Sequence, residues 1–374
     1  MKPEDLSSTQ NSLLIEVQLL REQLAQQEAI IAQQTTTIEQ LTHSQEALAD
    51  ANVRIADLYV ELEDAYEKLA QSEEVKNLNT ALTESNQELL AANEELIQAL
   101  DTIKEQNLLI DKKNQKITDS INYAQRIQRA MLPLLNEIAV EVGRNNFFVL
   151  YMPKDIVSGD FYWVHTTPTH QIFVVADCTG HGIPGAFMSM IGNQLLYEIV
   201  VQQYENMPNQ ILRCLHQEVR RVLKQEETNN NDGMECVALV IDKKQNLVSY
   251  AGAMNPIYYT KVREDGVHYL HEIKATKAPI GGYKTNEIVE YDLHQIIITT
   301  PTVFYLCTDG YQDQFGGVFG KKFMTKRFRE LLGSVSHLSM SQQYDQLKTT
   351  IEDWKDGYDQ TDDITIMGLL LGAG

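Results

Sequence analysis

The chain is poor in positive charge. Its 374 residues carry 31 Lys and Arg against 52 Asp and Glu, a formal net charge of −21. That balance argues against a surface for nucleic acid or anionic membrane, because such surfaces need clustered cations. No apolar run reaches the roughly 18 residues of a membrane span, and the first residues lack the basic, apolar, cleavable pattern of a signal peptide. A cytoplasmic protein with no membrane span is the expectation. Cys178, Cys214, Cys236 and Cys307 make no CxxC pair and no zinc spacing, so reduced, mostly buried thiols are the default. No GK[ST] triplet is present, which removes a Walker loop.

Proline is absent from Asp5 to Leu132, and no glycine precedes Gly143. A stretch this long without breakers, rich in Glu, Gln, Leu and Ala, predicts helix. Val17, Leu20, Leu24, Ile31, Ile38, Leu41, Leu48, Ile55, Leu62 and Leu69 recur at steps of three and four, a heptad seam. Gln27, Gln34, Gln45 and Asn52 fall on the same seam, where polar residues restrict register at a cost in stability. The phase slips near Ser72 to Lys76, and a second seam runs from Leu78 through Leu82, Leu89, Leu96, Ile103, Ile110, Ile117 and Ile121 to Ala124. Such a slip is a stutter or a hinge. If helical throughout, the arm would be on the order of 190 Å long at ~1.5 Å per residue. It is either a dimerisation stalk or a signalling helix, and a parallel homodimer is expected. Basic residues concentrate between Lys104 and Arg129, which marks a contact with the next domain or a solvated face.

Three segments follow from this: a coiled-coil arm over 1–132, a linker over 133–145 and a globular domain over 146–374. In the last, Phe147 to Met152, Ile172 to Ala176, Glu235 to Ile241, Leu247 to Ala251, Ile257 to Val262, Val267 to Ile273, Val303 to Cys307 and Ile364 to Leu371 read as strands. Glu264-Asp265-Gly266 reads as a hairpin turn. Gly185 to about Tyr204 and Asn209 to Glu226 read as helices.

Asp160, Asp177, Asp309 and the pair Asp362 and Asp363 each sit at the beginning or end of a strand, mostly beside glycine. Each alone reads as a turn residue. Together they could converge on one rim of a sheet sandwich, and carboxylate oxygens with a backbone carbonyl are what Mg²⁺ or Mn²⁺ prefer. Gly180-His181-Gly182-Ile183-Pro184-Gly185 formally satisfies GxGxxG. A dinucleotide fold also requires repeated βαβ crossovers, and the hairpin pattern here does not supply them.

Seven motifs in order carry a family resemblance. They are Ser158-Gly-Asp160-Phe-Tyr-Trp, Asp177-Cys-Thr-Gly-His-Gly-Ile-Pro-Gly-Ala-Phe-Met, Asn231-Asp-Gly-Met, Tyr250-Ala-Gly-Ala-Met-Asn-Pro, Pro279-Ile-Gly, Thr308-Asp-Gly-Tyr-Gln-Asp-Gln and Asp362-Asp-Ile-Thr. The region 146–374 resembles the metal-dependent (type 2C, PPM) serine/threonine phosphatases, in their bacterial SpoIIE-like branch. Ile117 to Pro133 resembles the helix that leads into such domains.

The resemblance implies an α+β fold, a two-sheet antiparallel β-sandwich flanked by helices and here preceded by the long coiled coil. It implies two Mn²⁺ or Mg²⁺ ions. Asp177 would bridge both, the Cys178 backbone carbonyl and Asp160 would serve one, and Asp309 with Asp362 the other. Asp363 stands where the wider family has Asn and is a further candidate. Many type 2C enzymes place a leaving-group acid, His, two residues after the bridging Asp. Here Thr179 is there and the histidine is His181, which could act as acid or cap the next helix. Lys154, Lys321 and Lys322 are candidates for a phosphate contact.

The expected function is hydrolysis of phosphoserine or phosphothreonine on a signalling partner, of the STAS anti-anti-sigma type by the branch resemblance, under control of the arm. The competing reading is a catalytically silent coiled-coil scaffold with a phosphatase-like binding domain. A nucleotide cyclase using two aspartates and two metals fits the antiparallel motif order poorly.

Overall fold

The computed structural model describes residues 3–69, 73–262, 268–282 and 289–372. The Glu264-Asp265-Gly266 turn, part of the phase slip at Ser72, and the seam side chains of Val17, Leu20 and Leu69 lie outside the described residues. Contacts divide the chain into two compact units, 1–107 and 108–374.

In the first unit, α1 (Pro3–Leu69) ends at the phase slip, and α2 (Glu73–Met131) begins beyond it and runs on into the second unit. The Asn86 side chain donates to the Tyr59 hydroxyl (3.3 Å). Twenty-seven residues of straight helix would separate them by roughly 40 Å. The helices therefore fold back on one another, so α1 and α2 do not form one straight rod. Leu24, Ile31, Ile38, Leu48, Ile55, Leu82, Leu89, Leu96 and Ile103 of the seams are exposed in the single chain. Among the described residues no helix is long and apolar enough to cross a membrane.

The second unit continues with α3 (Leu135–Val142), β1 (Phe147–Met152), β2 (Phe161–Thr166), β3 (His170–Cys178) and α4 (Gly182–Leu196), which runs into a π-helical turn, Tyr197–Gln202. Then come α5 (Pro208–Val222), β4 (Gly233–Asp242), β5 (Leu247–Ala253), β6 (Ile257–Val262), β7 (His268–Ile273), β8 (Ile280–Gly281), β9 (His294–Ile297) and β10 (Thr302–Cys307). The chain closes with α6 (Gly310–Asp313), β11 (Phe315–Gly316), β12 (Lys321–Lys322), α7 (Thr325–Val335), α8 (Met340–Lys355) and β13 (Ile364–Leu371).

Two sheets result. One has the order β1-β13-β10-β6-β7, the other β2-β3-β4-β5-β9 with β8 paired to β4, and every ladder between these described strands is antiparallel. A dinucleotide fold is thereby excluded, since it needs parallel strands.

Strand β3 shows why its sequence is apolar at consecutive positions. Alternate side chains point to opposite faces, and both faces are covered. Ile172, Val174 and Ala176 pack with Leu195, Leu196, Ile211, Leu212 and Leu215 of α4 and α5. Phe173 and Val175 meet Phe304, Leu306, Met367 and Leu369 of the opposite sheet. A third cluster packs Leu150, Tyr305 and Ile366 against Phe328, Leu332, Leu347 and Ile351 of α7 and α8. The four layers are thus helix, sheet, sheet, helix.

Helix α5 opens with Pro208, where a missing N–H costs nothing. Helix α8 opens with a capping box, Ser339 and Gln342 each satisfying the other's backbone N–H. Truncating Phe173, fully buried between the sheets, should cost ~3–5 kcal/mol in a Phe173→Ala variant. Chemical denaturation of the two proteins measures it, and a loss below 1 kcal/mol would contradict the sandwich core.

Candidate metal centre

The ladder from β3 to β4 sets Asp177 opposite Glu235 and Cys178 opposite Met234. Asp177 is the penultimate residue of its strand, so a long, doubly covered ladder holds its carboxylate. Beyond it the loop is fastened to β4 by Thr179. Its N–H donates to the Gly233 carbonyl (2.9 Å), and its hydroxyl accepts from the Gly233 N–H (2.9 Å) and reaches the same carbonyl (3.1 Å). Gly185 at the start of α4 then comes down on the loop. A Cβ there would lie 2.1 Å from the Gly180 carbonyl oxygen and 2.8 Å from the Gly159 Cα, so no larger residue permits this approach.

Asp309 and Asp362 arrive from the other sheet, two residues after β10 and two before β13. The Thr308 hydroxyl accepts from the Thr365 N–H (3.0 Å), and the Thr308 N–H donates to the Thr365 carbonyl (3.0 Å), binding these two segments together. The Thr308 hydroxyl also donates to Asp160 Oδ2 (2.7 Å).

Asp177, Glu235, Asp309 and Asp362 line one cavity of ≈ 320 Å³, together with Cys178, Thr179, Gly180 and His181. Gly281 and Gly282, which also line it, are tied down by His216 and Gln225, which accept from their N–H groups (3.2 and 3.0 Å). Among the described residues, no Lys or Arg lines the cavity. Burial, reinforced by Asp160, Asp309, Asp362 and Glu235, pushes the Asp177 carboxyl up to about 10. Burial likewise raises Asp309, with Asp313 and Asp362 adding to it, and Glu235, with Asp309 adding to it. The Asp309 and Asp177 carboxyls are within hydrogen-bonding reach of each other.

The other two carboxylates, Asp160 and Asp363, are not among the residues that line the cavity. Asp160 is 1 % exposed, and its Oδ1 is buried without a partner. Burial, then Asp363, raises its pKa well above the ordinary value. Asp363 spends both oxygens on the preceding loop, accepting from the N–H groups of Lys154 and Gly159 (2.7 Å each). Of the adjacent pair, Asp362 faces the cavity and Asp363 acts as a clamp.

Concentrated acidic oxygens without a counter-cation cost free energy, and a buried, unpartnered Asp160 Oδ1 adds to that cost. Hard divalent cations suit this donor set, so the residues present fit Mg²⁺ or Mn²⁺. Among the described residues, no three His, Cys, Asp or Glu side chains stand together as a ready-made site for one ion.

Lys322 is engaged by Asp313 (2.7 Å), and neither it nor Lys154 or Lys321 lines the cavity. His181 lines it, with Nδ1 2.8 Å from Asp155 Oδ2. All four cysteines are free, and burial holds the Cys178 thiol well above its ordinary pKa. Cys214 and Arg220 have the Cys-x5-Arg spacing of cysteine phosphatases, yet both lie on α5 and form no phosphate loop.

Residues 167–370 match the family model described as Stage II sporulation protein E (SpoIIE). The chain belongs to the SpoIIE family. The SiaA-PP2C domain of Pseudomonas aeruginosa is 30 % identical, with a TM-score of 0.61 over 68 % of this chain and 97 % of that one. The PP2C phosphatase domain and regulatory-domain fragment of SpoIIE from Bacillus subtilis aligns at 15 % identity and a TM-score of 0.47, over 60 % of this chain and 62 % of that one. No curated protein matches. The chain is accordingly a serine/threonine phosphatase of the PP2C class, a family that depends on Mg²⁺ or Mn²⁺.

Glu235 was not singled out by the motifs, although it is the one charged residue in an otherwise apolar strand segment, directly after Asp232-Gly233-Met234. Its register opposite Asp177 brings it to the cavity.

A carboxyl whose folded pKa is raised binds its proton more tightly in the folded state. Stability then declines as pH rises from the ordinary value of 3.8 to about 10 for Asp177. In chelator-treated protein the melting temperature should fall between pH 6 and 9. Asp177→Asn should raise it at pH 8 by several degrees, at ~2–4 °C per kcal/mol for a chain of this size, and flatten the slope. Thermal melts at four pH values measure this, and a lower melting temperature in the variant would refute the repulsion.

Proposed function

We propose that this phosphatase removes phosphate from serine or threonine of a signalling partner, with a STAS domain as the substrate type suggested by family resemblance, and that its coiled-coil arm regulates it in the cytoplasm. The observation that carries the reading is the convergence of Asp177, Glu235, Asp309 and Asp362 from two sheets on one cavity. The likeness to the SiaA-PP2C domain supports the same class of reaction.

Asp177, the Cys178 carbonyl and Asp160 would hold one ion, and Asp177, Asp309 and Asp362 the other, with Asp363 keeping the loop before Asp160 in place. Two Mn²⁺ or Mg²⁺ ions supply an acidified water as nucleophile and neutralise the phosphate. The side chains hold and orient, and none of them is the nucleophile. His181, at the cavity wall, is the candidate acid for the departing oxygen.

Contacts at the end of α2 support the reading that the arm regulates the domain. The Gln128 side chain donates to the Ser158 carbonyl (2.6 Å) and the Ser189 hydroxyl (2.9 Å) and accepts from the Ser158 N–H (3.1 Å). Gln125 donates to the Ile156 carbonyl and Asn193 to the Met131 carbonyl (3.1 Å). The last turns of α2 thus grip both the loop before Asp160 and helix α4. The exposed seam of the arm supports a homodimer, and its parallel orientation is part of the proposal.

Phosphate release from a phosphoserine peptide with Mn²⁺ tests the centre. Wild type should be active, and Asp177→Asn should lose ~10²-fold or more, the scale of a lost electrostatic contributor. No metal-dependent release would shift the reading to the silent scaffold. Deleting residues 1–107 should change the activity or the Mn²⁺ concentration for half-activity, and an unchanged enzyme would remove the arm from regulation.

A further inference from the structure

The histidine at the cavity wall has a partner that the metal centre does not use. We infer that Asp155 and His181 form a carboxylate–imidazole pair, in which Asp155 positions His181 to protonate the departing serine or threonine oxygen. This rests on the phosphatase reading of the cavity.

His181 stands at the N-cap position of α4, yet its side chain makes no capping bond. The ring is therefore not spent on starting the helix. Its Nδ1 lies 2.8 Å from Asp155 Oδ2, so Nδ1–H donates to the carboxylate and Nε2 is left as the nitrogen that exchanges a proton. The residue at the usual position of the acid, Thr179, has its hydroxyl tied to Gly233. Both partners of the pair are about half exposed, so solvent can restore a proton that is lost.

The segment that carries Asp155 is held through its backbone, and Gly182 packs beside its carboxylate. Asp363 accepts from the N–H groups of Lys154 and Gly159, which fixes the segment on either side of Asp155. Gln125 and Gln128 hold the carbonyls of Ile156 and Ser158. At Gly182 a Cβ would come within 3.1 Å of Asp155 Oδ2. A carboxylate carried on a segment fixed in this way, and bonded to Nδ1, orients the ring before substrate arrives.

In the reaction, the bond between phosphorus and the ester oxygen breaks and its electron pair goes to that oxygen. The oxygen takes the proton from Nε2 of the imidazolium. Water forms the new bond to phosphorus, and the proton it releases to solvent balances the one that returns to Nε2. The products are the free hydroxyl side chain and hydrogen phosphate. An aliphatic oxygen needs this proton far more than p-nitrophenolate does, because p-nitrophenolate leaves as a stable anion.

The test uses the full chain with Mn²⁺ and compares kcat on a phosphoserine peptide with kcat on p-nitrophenyl phosphate. His181→Gln should lower kcat on the peptide by ~10²-fold, the lower end for a general acid. Asp155→Asn should lower it by ~10-fold, and in both variants the ratio of aryl to peptide kcat should rise by a similar factor. In the His181→Gln background, adding Asp155→Asn should change kcat by less than ~3-fold, since residues acting as a unit are not additive. Nitrogen-15 spectra of chelator-treated protein supply a readout apart from turnover. The His181 ring, assigned by its loss in His181→Gln, should carry its proton on Nδ1 in wild type and a mixture of tautomers in Asp155→Asn. Equal losses on both substrates, additive losses in the double variant, or an unchanged tautomer would overturn the pair and leave the phosphatase standing. A wild-type enzyme that releases phosphate from neither substrate would overturn the phosphatase reading itself.

Discussion

Mutual repulsion among carboxylates that the fold forces together is the constraint on which this domain turns. Asp177 and Glu235 face each other across one sheet, while Asp309 and Asp362 come from the other. Among the described residues, no lining cation offsets them. Such a group would spread apart on flexible loops. Here it is anchored by ladders covered on both faces, and the apolar burial of the sandwich, at about 25 cal/mol per Å², is what holds the charges in place. Stability is concentrated in the layers and strain at their edge, a division common where function needs an arrangement that folding alone disfavours.

The supports of the cavity are mostly polar contacts to backbone. Thr179 ties its loop to Gly233, Gln225 and His216 hold Gly282 and Gly281, and Asp363 clasps Lys154 and Gly159. Contacts of this kind fix main-chain positions without filling space, so the walls stay thin and the interior open. The end of α2 joins the same scheme, because Gln128 bonds to Ser158, two residues before Asp160. Helix and site share one loop.

Much of this was legible in the sequence because periodicity reports burial. The doubly covered β3 announced itself as a run of apolar residues, and the glycines around Asp177 announced a turn of close approaches. Antiparallel strands followed from hairpin spacing, and the two-sheet sandwich from the family resemblance that the motifs carry. Helices α7 and α8 did not stand out, although Ser339 and Gln342 carry a capping signature, because their apolar stripes are diluted by Lys, Arg, Gln and Asp. The different roles of Asp362 and Asp363 were equally hidden. Adjacent residues leaving a turn point in different directions, and only the partners Lys154 and Gly159 show which one is engaged. Glu235 was missed for a similar reason, since register across a sheet is a long-range property that no local pattern encodes.

The approach of Gly185 to Gly180 and Gly159 has a mechanical consequence. Two main chains in direct contact have no rotamers between them, and hence no slack. A side-chain interface can absorb a small displacement by rearranging a methyl group or a ring. At this junction a shift of α4 by a few tenths of an ångström must be passed on whole to the Gly180 carbonyl, three residues from Asp177. The joint behaves as a gear tooth rather than a cushion.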